Sequence, residues 1–290
     1  MFSGSFVALV TPFKDNRVDV EKLKELVEFH IKKGTSGIVP CGTTGESPTL
    51  SHEEHRVVIE TVVKAVNGRI KVIAGTGSNN TNEAIELTQF AKKVEADGCL
   101  VITPYYNKPT QNGLYLHFKK IAETVDIPIV MYNVPGRTGT NMISSTAAKL
   151  SKIKNIIGLK EASGNITQIS QIVRECVEEF DVLSGDDAMT FPILAVGGKG
   201  VISVAANIAP TEVAGLVEAF NKGDINKSRK IHLKMLPLFE AMFYETNPIP
   251  VKTSMNLMGM ISDDIRLPLC KMSEENLKKL KTTLKEYKLI

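Results

Sequence analysis

Short, nearly continuous apolar runs alternate with longer amphipathic segments along most of the chain. The runs occupy residues 6–13, 37–41, 71–75, 98–104, 127–133, 156–162, 181–185 and 200–205. They are rich in Val and Ile and do not alternate polar with apolar. That pattern predicts strands buried on both faces, as in a parallel sheet. The segments between them predict helices over residues 20–33, 53–66, 82–95, 113–124, 144–151, 166–178, 188–196 and 211–221. In the first of these, Leu23, Leu26, Val27 and His30/Ile31 share one side and Lys and Glu the other, the stripe of a half-buried helix.

Strict strand–helix alternation predicts an α/β fold, a (β/α)8 TIM barrel. The alternative is an open doubly wound sheet. That fold would normally carry a glycine-rich phosphate turn after its first strand. Here the first run leads into Thr11-Pro12-Phe13-Lys14, which cannot form one. From about residue 224 strand signals stop, and helical patterns remain near 225–244, 250–258 and 273–287. The expected organisation is a barrel over 1–223 carrying the active site and a C-terminal helical appendage over 224–290. The appendage would pack on the barrel or on another subunit.

Composition narrows the function. The 290 residues are 43% hydrophobic with a net charge of +3, too weak a bias to point to nucleic acid or a membrane surface. The first residues lack a basic stretch followed by an apolar one, and no apolar run could span a bilayer, so a cytoplasmic protein is expected. Cys41, Cys99, Cys176 and Cys270 are scattered and read as buried free thiols from a reducing compartment. No histidine follows Cys41 at a strand end to activate it. His52 and His55 stand three apart with no obvious third ligand, so no metal is expected, and no cofactor.

In a barrel the chemistry gathers at the C-terminal ends of the strands. The sixth run ends in Gly158-Leu159-Lys160-Glu161-Ala162-Ser163. A lysine buried there would lose charge and offer a free amine, which attacks carbonyls and forms Schiff bases. The competing reading is a strand-end lysine that snorkels to water. Alternation puts Gly158 on the same side as Lys160, where it is expected to leave room beneath the amine. After the second strand, Gly42-Thr43-Thr44-Gly45 can converge N–H groups and hydroxyls on a small anion, such as a carboxylate beside a ketone. It can also be a simple turn using glycine for its geometry. Tyr132 ends the neighbouring fifth strand, and Tyr105 and Tyr106 follow the fourth, so phenols for proton transfer are available. Arg137 could clamp a second carboxylate, or stand solvated on its loop. No phosphate loop follows strands seven and eight, which points to a substrate without phosphate.

Four of these stretches closely resemble the dihydrodipicolinate synthase family, of the pyruvate-dependent class I aldolase and N-acetylneuraminate lyase superfamily. They are Gly42-Thr43-Thr44-Gly45-Glu46-Ser47, Tyr105-Tyr106-Asn107-Lys108-Pro109, Tyr132-Asn133-Val134-Pro135-Gly136-Arg137-Thr138 and Gly158-Leu159-Lys160-Glu161-Ala162-Ser163-Gly164-Asn165. The likeness extends to Glu245-Thr246-Asn247-Pro248-Ile249-Pro250-Val251-Lys252. It implies a lyase that condenses pyruvate with L-aspartate-4-semialdehyde to 4-hydroxy-2,3,4,5-tetrahydrodipicolinate, on the diaminopimelate route to lysine. By that resemblance Lys160 forms the Schiff base, and Thr43 and Thr44 sit at the pyruvate site, Thr44 holding its carboxylate. Tyr132, Thr43 and Tyr106 form a proton relay, with Tyr106 supplied by a neighbouring subunit of a homotetramer, a dimer of dimers. Arg137 receives the semialdehyde carboxylate, and Gly185 and Ile202 line the site. Ser47, Pro48, His52, His55, Asn79, Glu83 and Tyr105 match a site for L-lysine as effector, with Pro48 departing from the alanine often found there. Sister aldolases that cleave keto-sugar acids share the lysine but would be expected to lack the Arg137 loop. A barrel that only binds a keto acid, without turnover, is the reading from another class.

Overall fold

The computed structural model describes residues 2–290. Eight parallel strands, Gly4–Ala8, Gly37–Val39, Lys71–Gly75, Gly98–Ile102, Ile129–Asn133, Ile156–Glu161, Asp181–Ser184 and Gly200–Ser203, close into a barrel with helices between them. Closure runs through the first strand, which pairs Phe6 with Gly37 on one side and Gly4 with Gly200 on the other. The expected TIM barrel is the fold found. Side chains inside it, among them Phe6, Val39, Ile73, Leu100, Val130, Leu183 and Ile202, form one apolar cluster, with Phe2 joining it. A larger cluster fills the layer between sheet and helices. Both strand faces are therefore buried, which is why the strands read as unbroken apolar runs.

Most element ends lie within a few residues of the pattern. The helix His52–Val66 starts at a capping box, with Ser51 and Glu54 satisfying each other's backbone N–H. Two departures concern the site. The run at 6–13 is not one strand: the ladder stops at Ala8, and Phe13–Lys14 pairs instead with Arg17–Val18 in a small antiparallel hairpin. Residues 9–12 stay buried, so their hydrophobicity looks like strand. Here the Asn207 side chain replaces a ladder partner: Val10 N–H donates to its Oδ1 (3.2 Å) and its Nδ2 donates to the Ala8 carbonyl (2.8 Å). Pro12 has no N–H to continue a ladder. Secondly, the stretch carrying Arg137 is a short helix, Pro135–Thr138, started by proline.

Beyond the eighth unit the chain forms the helices Ile225–Ala241, Ile249–Leu257 and Glu274–Glu286. The first packs on Pro210–Asn221, the last packs against both of the others, and the middle one also meets the Ala205–Asn207 turn after the eighth strand. Cys41 and Cys99 are buried and Cys176 partly so, but Cys270 is exposed, contrary to expectation. It lies in the irregular segment between the last two helices. Among the described residues no helix is long and apolar enough to cross a membrane.

Candidate active site

Lys160 lies in register between Tyr132 and Leu183, both interior side chains, so it points into the barrel. It is 6% exposed, which removes the snorkelling reading. Its Nζ lies 4.3 Å from the centroid of the Tyr132 ring. It makes no hydrogen bond or ion pair with any described residue. Burial lowers the amine from 10.5 to about 7, against the opposing pull of the Asp187 carboxylate and with a further push from Arg137. A large fraction of the side chain is then free amine at neutral pH, the form that attacks a carbonyl.

The room around this amine comes from Gly185, not from Gly158. A Cβ on Gly158 would meet the backbone carbonyl oxygen of Asp181 at 2.5 Å. Gly158 therefore serves the close approach of strands six and seven. A Cβ on Gly185 would stand 3.1 Å from Lys160 Cε and Cγ. Gly185→Val is expected to displace the lysine and slow Schiff-base formation with a keto acid about tenfold or more, since small misplacements cost large factors. Stopped-flow measurement of imine formation checks this, and an unchanged rate would remove the role given to Gly185.

Tyr132 is buried beside Lys160, and burial pushes its phenol up to about 12 although Arg137 and a hydrogen bond with Thr43 oppose this. At neutral pH it keeps its proton and can donate it. The turn after the second strand closes on itself: Gly45 and Ser47 donate backbone N–H groups to the Gly42 carbonyl, and Glu46 to that of Thr43. The N–H groups of Thr43 and Thr44 make no such bond within the described residues, so they remain available to an anion. Thr44 is buried, and its Oγ1 accepts from Asn247 Nδ2 at 3.0 Å. Arg137 Nη2 donates to the Asn247 carbonyl at 3.1 Å. Ile202 is fully buried inside the barrel.

Thr43, Tyr132 and Arg137 line a cavity of about 510 Å³. Its walls also include Ser47, Pro48, His52, His55, Glu83 and Tyr105. His52 Nε2 lies 3.1 Å from Glu83 Oε1, and the Ser78 hydroxyl donates to the other carboxylate oxygen. Asn79 Nδ2 donates to the Tyr105 carbonyl at 3.2 Å. His55 Nε2 donates to the Gly75 carbonyl at 2.7 Å, and burial holds its ring below the usual range, so it is neutral at pH 7. Cys41 is not a nucleophile, because burial pushes its thiol far up. Tyr106 alone is not gathered in. It is 89% exposed and held at a φ of 70°, unusual for a bulky side chain.

Several groups around the site went unassigned in the sequence. Asp187 is buried, and its Oδ2 accepts from the N–H groups of Val204 (3.0 Å) and Ala205 (2.9 Å). Glu46 forms a buried ion pair with Lys252. A lysine in the otherwise apolar start of the helix Ile249–Leu257 was the one available signal for that pair.

A closed parallel barrel with an unpaired lysine inside that is substantially free amine at neutral pH, a protonated phenol beside it and a turn with uncommitted backbone N–H groups nearby defines a Schiff-base-forming lyase of the class I aldolase type. A profile of the dihydrodipicolinate synthetase family matches residues 1–287. The 4-hydroxy-tetrahydrodipicolinate synthase of Geobacter sulfurreducens is 58% identical over the full length of both chains. The crystal structure of dihydrodipicolinate synthase from Aquifex aeolicus superposes with a TM-score of 0.98 at 55% identity, covering 99% of each chain. A Cyanidioschyzon merolae enzyme with lysine bound gives 0.97 at 41% identity, covering 100% of this chain and 99% of its own. The chain belongs to the dihydrodipicolinate synthetase family.

Proposed function

We propose that the chain is a 4-hydroxy-tetrahydrodipicolinate synthase that works through Lys160. The amine adds to the ketone of pyruvate, Tyr132 and Thr43 move the protons, and water leaves to give the imine. The enamine derived from it forms a carbon–carbon bond with the aldehyde of L-aspartate-4-semialdehyde. The amino group of that substrate then displaces Lys160 from the imine carbon, closing the ring and freeing the enzyme. Thr44 and the adjacent backbone N–H groups receive the pyruvate carboxylate, and Arg137 the semialdehyde carboxylate. In this reading residues 1–223 supply the chemistry and 224–290 support it. The observation that carries the proposal is the buried Lys160, unpaired and titrating near 7. Borohydride added with pyruvate should leave a reduced adduct on the peptide containing Lys160. An unmodified peptide from active enzyme would sink the mechanism.

The exposed, strained Tyr106 fits a group offered to a second copy of the chain, whose relay it would complete; a dimer or dimer of dimers follows from that reading. The polar wall around His52 and Glu83, with Ser47, Pro48, His55, Asn79 and Tyr105, is further proposed to take L-lysine, whose ammonium groups would meet Glu83. The lysine-bound relative supports this reading. Steady-state activity is expected to fall as L-lysine is titrated into the millimolar range, and Glu83→Gln should weaken that inhibition. Full activity at millimolar lysine would rule the effector site out.

A further inference from the structure

Asn247 stands outside the barrel's strands, yet two groups assigned to two different carboxylates meet on it. Its side-chain Nδ2 donates to Thr44 Oγ1 (3.0 Å), and its backbone carbonyl accepts from Arg137 Nη2 (3.1 Å). The residue is buried, and its Oδ1 has no partner among the described residues. Thr44 is therefore its one side-chain commitment. A threonine hydroxyl has one proton and can accept two bonds. Because Thr44 Oγ1 already accepts from the amide, its own proton is left to be donated elsewhere. No described residue receives it.

From this geometry we infer that Asn247 is a positioning residue that orients Thr44 as a donor to the first carboxylate and fixes the distance from it to Arg137, which receives the second. The inference rests on the reading of the site given above and deepens it. The tie also sets specificity. With Thr44 and Arg137 joined through one residue, the site favours an aldehyde whose carboxylate lies at a set distance from the reacting carbon. An aldehyde without that carboxylate gains nothing from the tie. Losing the side chain leaves the Asn247 carbonyl bonded to Arg137 but removes the tie from that residue to Thr44, so the spacing between Thr44 and Arg137 is no longer set through one residue.

The test is Asn247→Ala, with Asn247→Ser as a second variant should the first fail to fold. Borohydride trapping with saturating pyruvate comes first. Wild type and variant should both give the Lys160 adduct, which shows that the chemical lysine is intact. The KM for pyruvate should then rise about tenfold with kcat changed far less, the size expected for one oriented hydrogen bond. Preference in kcat/KM for aspartate semialdehyde over propanal should also fall about tenfold. A merely structural role would lower both aldehydes alike and leave that ratio unmoved. Unchanged KM and an unchanged ratio, with the adduct formed in both proteins, would overturn the positioning role alone. Absence of the adduct in wild type would overturn the reading of the site and this inference with it.

Discussion

Lys160→Met is expected to abolish the pyruvate adduct and lower kcat by at least about a thousandfold, since no other amine can replace a covalent nucleophile. Tyr132 and Thr43 would still bind and orient substrate, so a small residual rate is compatible with the mechanism, but trapping on the peptide is not. The same variant should be more stable than the parent. Burial lowers the folded-state amine from 10.5 to about 7. The folded state thus holds fewer protons than the unfolded chain between those values, and stability rises with pH across them. Below about 7 the cost of burying the ammonium is felt in full; above about 10.5 it disappears. Methionine carries no such cost, so the variant should gain on the order of a few kcal/mol at neutral pH, shrinking toward pH 10. Denaturant melts at pH 7 and pH 10 measure the difference. In the wild type, imine formation should slow about tenfold for each pH unit below 7, following the free amine.

The parts that could be read in advance are those governed by local periodicity. Buried parallel strands have no polar face, so eight apolar runs marked them directly. The rule that chemistry lies at strand ends then placed Lys160, Tyr132, Thr43, Thr44 and Arg137 near one another, and the structure brings them together. What failed was what depends on partners far away in the chain. Alternation gives the face of Gly158 but not the neighbour that crowds it, so the sequence points it at the amine whereas in the fold it makes room for the Asp181 backbone. The end of the first strand depends on a side chain some 200 residues later, Asn207. Asn247 reaches Thr44 over a similar distance, and no spacing rule links them.

Lys252→Met should be the most damaging change outside the reacting groups. Lys252 is 3% exposed and Glu46 fully buried, with Nζ and Oε1 2.5 Å apart. The ammonium also lies 4.3 Å from the centroid of Phe13, and Arg266 covers the same ring at 4.2 Å. The other Glu46 oxygen takes the backbone N–H of Arg266 at 3.2 Å, and Arg266 in turn grips Glu54 with two bonds. Removing Lys252 leaves a carboxylate without its counter-charge in a dry site, a loss of about 3–5 kcal/mol. Glu46→Gln paired with Lys252→Met removes both charges, so it should recover much of that loss, and a double-mutant cycle reads the coupling. The pair has a second task. Glu46 is held at a φ of 53°, two residues after Thr44, so the ion pair anchors the far side of the turn proposed to receive the pyruvate carboxylate. If the pair only supported the fold, the double variant would recover stability and pyruvate KM together. Stability should return while pyruvate KM lies above the parent's in both the single and the double variant, because without the ion pair residue 46 is no longer pinned in its left-handed conformation. A single variant as stable as the parent would show that the ion pair contributes nothing to holding the C-terminal helices on the barrel.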